Sequence, residues 1–211
     1  MKSGDTTPIS RRVSMFGNRY CVPGFGILGG TFNPVHRGHL LLAEGALRGL
    51  KLDRVLWVPA HLPPHKAVAC HVSAFDRARM VELAIQGHPG FALSRVELER
   101  PPPSYTVDTV DLLRSRFHKA EWWLLLGSDT AREIPGWRSA RRLRRLVRFA
   151  AIPRPDDPAG LSVPPFVQLL RVQTLPISSS SVRQRVRLGW EIHSCVPAAV
   201  ARYIEEKGLY R

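Results

Sequence analysis

Short apolar runs alternate with longer segments along this chain, and the two patterns predict strands and helices respectively. Each apolar run is too short for a helix and stops at a glycine, a proline or a polar residue, as buried strands do. The runs that we predict to be strands are Phe25–Leu28, Arg54–Val58, Phe91–Leu93, Glu121–Gly127, Val147–Ile152 and Phe166–Leu170.

The longer segments repeat their apolar residues with the period of an α-helix. They are Leu40–Leu47, Phe75–Gln86, the stretch from Thr106 through Leu113, the stretch from Ser178 or Ser179 to Val186, and Val196–Glu206. Because helices alternate with short buried strands, we predict an α/β protein of a single domain. Its expected architecture is a Rossmann-like open parallel sheet with flanking helices.

The predicted domain covers residues 25–211, and the preceding segment differs from it in composition. Residues 1–24 are polar and basic and show no periodicity, so we interpret them as a flexible N-terminal extension without an assigned function. No apolar run reaches the roughly 18 residues that a membrane span requires, which predicts that the protein has no membrane partner.

The chain carries 31 Lys and Arg residues against 17 Asp and Glu, a formal net charge of +14. This surplus favours nucleotides, polyphosphates or nucleic acids as partners without choosing among them, and an arginine-rich proteome would give the same balance. Cys21, Cys70 and Cys195 are scattered and odd in number, which argues against a disulfide framework or a zinc site. We therefore predict no protein-bound metal and a reducing, cytoplasmic location.

Two histidines three residues apart follow the first predicted strand and its Gly29-Gly30 pair. The glycine spacing fits neither a dinucleotide fingerprint nor a Walker loop. If the helix has begun, His36 and His39 share one face and can donate hydrogen bonds to phosphate oxygens as charge develops in a transition state. A metal-binding pair and two surface histidines are the alternatives. The glycine turn favours phosphate binding, because such a turn presents backbone N–H groups to an anion.

Other polar residues follow predicted strands, at the sheet edge where open α/β proteins bind ligands. Lys66 lies in a proline-rich loop and is either a phosphate or substrate contact or a solvated cation. Asp129 follows Gly127, and it either accepts from a ribose hydroxyl or an adenine amino group or caps the next helix. Trp137 follows a Pro-Gly turn, where it stacks on a flat ring or packs beneath a lid. From position alone, Thr106 or Asp108 is the cap of the helix that runs through Leu113.

A serine-rich segment opens the helix predicted after residue 177. Ser178 or Ser179 is the expected N-cap, and free amides, hydroxyls and Arg183 make a second anion site there unless the serines only cap the helix. Upstream, five arginines between Arg141 and Arg148 form a basic face, which is either a solvated surface or an RNA-binding patch.

The sequence also lacks several kinds of catalytic machinery. It has no acidic pair spaced for two-metal catalysis, no nucleophile elbow and no convincing Cys–His pair. Two anion sites at helix starts, a histidine pair and Asp129 suit the handling of ATP. Transfer of a nucleotidyl group to a phosphate needs no protein nucleophile, because the attacking group is already an anion. The protein accelerates such a reaction by positioning the reactants and by stabilising charge.

The segment Gly29–His39 resembles the signature of the HxGH nucleotidyltransferases, and specifically of the bacterial nicotinate-nucleotide adenylyltransferases. Further segments resemble that family in its order and cover nearly the whole chain after residue 24. They are Pro63–Lys66, Pro103–Thr109, Gly127–Asp129 with Trp137, Arg154-Pro155, Ile177–Arg183 and Val196–Tyr210. Ser180 and Ser128 replace the usual threonine and the commoner alanine, and Pro101-Pro102 replaces a more flexible entry to Thr106.

The resemblance implies that ATP and nicotinate mononucleotide react to give nicotinate adenine dinucleotide and pyrophosphate, with Mg²⁺ carried on the ATP phosphates. It implies catalytic roles for His36, His39 and Arg183, with His39 on the transferred α-phosphate. The implied ATP contacts are Gly29, Gly30, Thr31, Phe32, Gly38, Gly127, Asp129, Ser179 and Ser180. The implied contacts to the mononucleotide are Lys66, Thr106, Trp137 and Arg154.

Two alternatives stay open at this point. One is a related nucleotidyltransferase that acts on nicotinamide mononucleotide or phosphopantetheine, and the other is a basic nucleic-acid-binding module that uses Arg141–Arg148. We expect small-molecule partners, no specific nucleic acid, and either a monomer or a homo-oligomer.

Overall fold

Parallel strands of one sheet run through the middle of this protein, in a computed structural model that describes residues 22–61, 72–153, 157 and 162–211. The strands in those ranges are β1 (Gly24–Gly30), β2 (Arg54–Pro59), β3 (Phe91–Leu93), β4 (Glu121–Gly127), β5 (Arg148–Ile152) and β6 (Val167–Leu169). They lie in the order β3-β2-β1-β4-β5-β6, and every neighbouring pair is parallel. The strand order therefore reverses between β1 and β4, which makes this pair the switch point of the sheet.

Helices cover both faces of the sheet, as parallel strands buried on both sides require. They are α1 (Arg37–Gly49), α2 (Ala74–Ile85), α3 (Thr106–Arg116), α4 (Ser128–Glu133), α5 (Ala140–Leu146), α6 (Ser179–Arg187) and α7 (Ala198–Glu206). The buried residues of α1, α2, α6 and α7 belong to one hydrophobic cluster and those of α3, α4 and α5 to another. Adjacent strand residues point to opposite clusters, as Trp122 and Trp123 of β4 do.

This architecture confirms the predicted α/β class, the open parallel sheet and the single domain. The sequence pattern succeeded because each strand is a run of residues buried on both faces, such as Trp122–Leu126. The proposed extension at residues 1–24 lies almost wholly outside the described residues, and β1 begins at Gly24. None of the helices that the described ranges contain is long and apolar enough to cross a bilayer.

One local prediction was wrong. The N-cap of α3 is Tyr105, whose backbone is extended (φ −94°, ψ 136°), and no side chain caps this helix. Thr106 is the first helical residue, so its side chain cannot act as the cap. Asp108 lies in the first turn, where its negative charge interacts favourably with the positive end of the helix dipole. It does not replace the cap.

Candidate functional site

The carboxyl ends of β1 and β4 meet at the switch point, where open α/β sheets bind their ligands. Gly29 and Gly30 end β1, and Gly127 ends β4. A Cβ atom built on Gly29 would have no neighbour within 4 Å, whereas one on Gly30 would lie 3.0–3.3 Å from the ring of Phe32. The backbone at Gly29 therefore faces open space into which a ligand can fit closely.

The loop after β1 carries its aromatic residue inward. Phe32 has a left-handed backbone (φ 50°) and is only 2% exposed. Its ring contacts the imidazole of His39 edge-on, with 5.2 Å between centroids, and it also packs near Trp57. The side chain of Phe32 thus supports the His39 ring from the core side, which leaves only the backbone of Phe32 to meet a nucleotide.

The histidine pair forms the start of α1, as the spacing predicted. His36 is the N-cap, and the two imidazole centroids are 3.7 Å apart. The backbone N–H of His36 donates to Nδ1 of His39 across 3.2 Å, so Nδ1 is the unprotonated nitrogen and Nε2 carries the hydrogen. The outer nitrogen of His39 is therefore a hydrogen-bond donor. A Cβ on Gly38 would lie 3.1 Å from the ring of His36, which favours glycine there.

The surroundings of the histidine pair bear on the kind of ligand that it could bind. The described residues contain no group of three or more His, Cys, Asp or Glu side chains that could hold a metal ion. Two imidazoles at a helix N-terminus, by contrast, combine donors with the positive end of the helix dipole, which suits a phosphate.

The start of α6 lies against the loop at residues 31–36, which we call the histidine loop. Ser178 is the N-cap and shares a capping box with Ser181, which confirms one of the two predicted caps. Ser179 Oγ donates to the carbonyl of Pro34 across 2.9 Å, and Arg183 donates to the carbonyl of Asn33 across 2.8 Å. Arg183 also donates to Ser180 Oγ at 3.1 Å. The residues predicted to form the second anion site therefore lie in the same corner as the histidine pair, and Ser179 and Ser180 make hydrogen bonds besides those of the N-cap.

Beyond the end of β4, Ser128 and Asp129 begin α4, whose N-cap is Gly127. The buried hydroxyl of Ser128 donates to the carboxylate of Asp157, which also faces Arg132 at 3.6 Å. This bond gives a structural reason for a serine where the related family usually has alanine. Asp129 is half-buried in the first turn, close to the switch point.

A contact joins the chain neighbours of Thr106 and Trp137. The guanidinium of Arg138 lies over the ring of Tyr105, 4.3 Å from its centroid. Trp137 is half-buried against the cluster that includes α3, and its backbone N–H donates to Ile134. The two predicted acceptor-side residues therefore line one region of the molecule.

A buried polar network lies beneath the chain that leads into Thr106. Arg100 donates to Thr109 Oγ1 across 2.8 Å, and Thr109 donates to Glu97 across 2.7 Å. Burial raises the pKa of Glu97 above its ordinary value, although hydrogen bonds from Thr109 and Ser104 oppose the rise. This network fixes the start of α3 despite the Pro101-Pro102 entry, and the periodicity of the sequence gave no sign of it.

Arg77 is a further residue that the sequence did not single out. It is 4% exposed and donates to the carbonyls of Thr31 at 2.7 Å and His61 at 3.0 Å. It therefore joins the loops that follow β1 and β2. The sequence could have indicated this role, because Arg77 stands next to Ala78 among the apolar residues on the buried side of α2. A charged residue is expected there only if it has buried partners.

Three other predictions concern Lys66, Arg154 and the basic face. Lys66 and Arg154 lie outside the described residues. The basic face falls on α5 and the start of β5, where Arg142 pairs with Asp111 at 3.0 Å and Arg148 approaches Glu121 at 3.8 Å. These exposed pairs are typical of a solvated surface, although they leave Arg141 and Arg145 exposed as well.

Comparison with known proteins places this geometry in a family. Residues 27–185 match the family described as Cytidylyltransferase-like. A protein of a Synechococcus species described as "Probable nicotinate-nucleotide adenylyltransferase" is 44% identical over 193 residues, covering 88% of this chain and 93% of the relative. Relatives with the same description in Gloeobacter violaceus and Thermus thermophilus are 43% and 42% identical, covering 88% of this chain and 95% and 98% of their own lengths.

The fold has solved counterparts as well. The Plasmodium falciparum nicotinic acid mononucleotide adenylyltransferase complexed with NaAD superimposes with a TM-score of 0.74 at 18% identity, covering 89% of this chain and 97% of the other. At 18% identity this likeness shows only that the fold is shared. The bacterial relatives, at 42–44% identity, show that the sequence is related as well. The chain therefore belongs to the cytidylyltransferase-like family and, within it, to the nicotinate-nucleotide adenylyltransferases.

Proposed function

We propose that this protein transfers the adenylyl group of ATP to nicotinate mononucleotide, giving nicotinate adenine dinucleotide and pyrophosphate, a step of NAD biosynthesis. One observation carries the proposal. In a member of this family, the His36–His39 pair and the start of α6 meet at the switch point of the sheet, joined by hydrogen bonds from Ser179 and Arg183.

On the ATP side, the triphosphate lies along the end of β1 and the start of α1. Nε2 of His39 donates to the transferred α-phosphate, and His36 supports it from the N-cap. The start of α6, with Ser179, Ser180 and Arg183, binds the phosphates that leave. The remaining ATP contacts are the backbone at Gly29, Gly30, Thr31, Phe32 and Gly38, with Gly127 and Asp129 on the adenosine.

On the acceptor side, nicotinate mononucleotide lies between α3 and the turn before α5. Trp137 stacks on the pyridine ring and Thr106 holds its edge. Lys66 and Arg154 are proposed to contact the acceptor. Nicotinate carries a negative charge that nicotinamide lacks, so the preference between them depends on donors around this ring and on the absence of a facing carboxylate.

The chemical step needs no covalent enzyme intermediate. A phosphate oxygen of the mononucleotide attacks the α-phosphorus of ATP, a new P–O bond forms, and the bond to the β-phosphate oxygen breaks as pyrophosphate leaves with the electron pair. The protein aligns the two anions and neutralises the charge that builds on the α-phosphate oxygens. When Mg²⁺ is bound through the ATP phosphates, it adds charge neutralisation there.

Pyrophosphate release tests this proposal directly. Purified protein with ATP and Mg²⁺ is offered nicotinate mononucleotide, nicotinamide mononucleotide and phosphopantetheine in parallel. Rapid release with the first substrate and formation of the dinucleotide by chromatography are expected. Preference for either other acceptor would move the activity to a different member of the family, and no turnover with any of the three would reject the proposal.

A further inference from the structure

We infer that Tyr210 is a positioning residue for adenylyl transfer, because its hydroxyl fixes Asn33 in the loop that carries the histidine pair. The inference rests on the proposed function, and it assigns a role to a residue far from the chemistry in sequence. Tyr210 Oη donates to Asn33 Oδ1 across 2.7 Å, between residues 177 positions apart.

Asn33 lies at the centre of the loop that leads from β1 to α1. It is 7% exposed, and it follows Phe32, whose backbone is left-handed. Three residues beyond Asn33, His36 begins the helix. A shift of Asn33 therefore moves the backbone on which the histidine rings are mounted.

The chain after α7 is shaped to deliver Tyr210 to this loop. Gly208 has φ 59°, which turns the chain out of the helix, and the N–H of Leu209 donates to Ile204 across 2.9 Å. Tyr210 itself has φ 69°, a conformation that costs energy for a bulky side chain. Its half-buried ring packs against the cluster beneath α1 and α7, so the hydroxyl is held in place.

Tyr210 acts together with other contacts on the same loop. Arg183 donates to the Asn33 carbonyl at 2.8 Å, Ser179 to the Pro34 carbonyl at 2.9 Å, and the Arg37 N–H to the Cys195 carbonyl at 2.9 Å. Arg183 and Ser179 are also proposed phosphate ligands, so their removal would confuse anchoring with binding. Tyr210 has no such second role in the proposed site.

The experiment compares Tyr210→Phe with a matched control, Tyr203→Phe. Tyr203 lies on α7, and its hydroxyl donates to Asp76 Oδ1 across 2.8 Å, at the start of α2. Each variant removes one partly buried hydrogen bond, of 2.8 Å for Tyr203 and 2.7 Å for Tyr210, from the C-terminal part of the chain. We measure kcat, the KM for each substrate, and the melting temperature.

Tyr210→Phe is expected to lower kcat about tenfold while the KM for nicotinate mononucleotide stays within about twofold, because a small displacement of a transition-state donor mainly slows the chemical step. Tyr203→Phe is expected to keep kcat within about twofold, although both variants lose some thermal stability. Equal effects of the two variants on kcat would reduce Tyr210 to a structural role and overturn the inference.

A double-mutant cycle with Asn33→Ala identifies the bond responsible. If the hydrogen bond carries the effect, Tyr210→Phe has no further effect on kcat in the Asn33→Ala background, whereas fully additive effects contradict the inference. The assay of the wild type distinguishes failure of the positioning role from failure of the proposed function. Normal wild-type turnover with an unimpaired Tyr210→Phe variant overturns only the positioning role, and a wild type without adenylyltransferase activity removes the proposed function and this role with it.

Discussion

The backbone N–H of His36 donates to Nδ1 of His39, which assigns the two nitrogens of the His39 ring to different tasks. The inner nitrogen accepts at the first turn of α1, and in the proposed mechanism the outer nitrogen donates to the transferred phosphate. A substitution at position 39 can therefore remove the proposed donor to the phosphate and still keep the hydrogen bond at the start of α1.

His39→Ala is expected to lower kcat by about 10²–10³, or roughly 3–4 kcal/mol, with the fold intact. His39→Asn is a sharper variant, because the amide oxygen of asparagine can replace Nδ1 while nothing replaces the Nε2 donor. We expect it to match the alanine variant in kcat and the wild type in melting temperature. Near-wild-type turnover in either variant would remove His39 from the mechanism.

Trp137→Ala is expected to raise the KM for nicotinate mononucleotide by about tenfold, because the ring loses its stacking partner. Trp190→Ala is the matched control, since that indole is 60% exposed and lies beyond α6. Steady-state kinetics with each substrate varied in turn supply the measurement. A rise in the KM for ATP alone would contradict the assignment of Trp137 to the acceptor side.

Gly29→Ala tests whether the open space beside β1 belongs to ATP. The added methyl group meets no protein atom within 4 Å, so the melting temperature should change little. If the nucleotide passes over this backbone, the KM for ATP should rise about tenfold. Gly30→Ala should behave differently and lose stability, because its methyl group would press on Phe32 at 3.0–3.3 Å. An unchanged KM for ATP in Gly29→Ala would move the nucleotide elsewhere.

Glu97 gives the stability of the protein a pH dependence with a definite sign. Burial raises the pKa of Glu97 in the folded state, so the unfolded chain ionises first as the pH rises. The contribution of this residue is therefore full below the unfolded pKa of about 4.3 and is lost as the pH rises through the folded value. Glu97→Gln removes that titration and keeps an acceptor for Thr109. Melting temperatures between about pH 4 and pH 8 should move in favour of the variant as the pH rises, and the opposite trend would refute the assignment.

The basic face on α5 provides a test of the nucleic-acid alternative. As a solvated surface, it should bind single-stranded RNA only weakly, with a Kd no tighter than about 10⁻⁶ M at physiological salt. Charge reversal of the two exposed residues, Arg141→Glu with Arg145→Glu, should abolish that residual binding and leave turnover unchanged. Tight, sequence-dependent binding in a salt titration would make the nucleic-acid module a second function.

The sequence predicted the parts of this protein that depend on local pattern. Strands such as β4 are continuous apolar runs, and the His36–His39 spacing by itself placed both rings at one helix start. Contacts between distant segments were not accessible in this way. The bonds from Arg77 to the carbonyl of Thr31 and from Tyr210 to the side chain of Asn33 join residues 46 and 177 positions apart, and no periodicity encodes such pairs.

The error at Thr106 has a related cause. Threonine before an apolar helix is a good cap in isolation, yet the extended backbone at Tyr105 makes that residue the boundary. The buried network of Glu97, Arg100 and Thr109 holds the segment in this register, and a cap rule that considers only neighbours in sequence does not include such tertiary contacts.

Arg77 holds the start of the histidine loop at residues 31–36, and the other side chains that anchor this loop come from residues 179–210. During translation at about 5–20 residues per second, roughly 7 to 35 seconds pass between the emergence of the loop and that of these anchors. A ribosome-bound chain would therefore lack these anchors of the loop until its last residues emerge. Under the proposed function, we expect adenylyl transfer to begin only once α6 and α7 have docked, so that incomplete chains would not consume ATP.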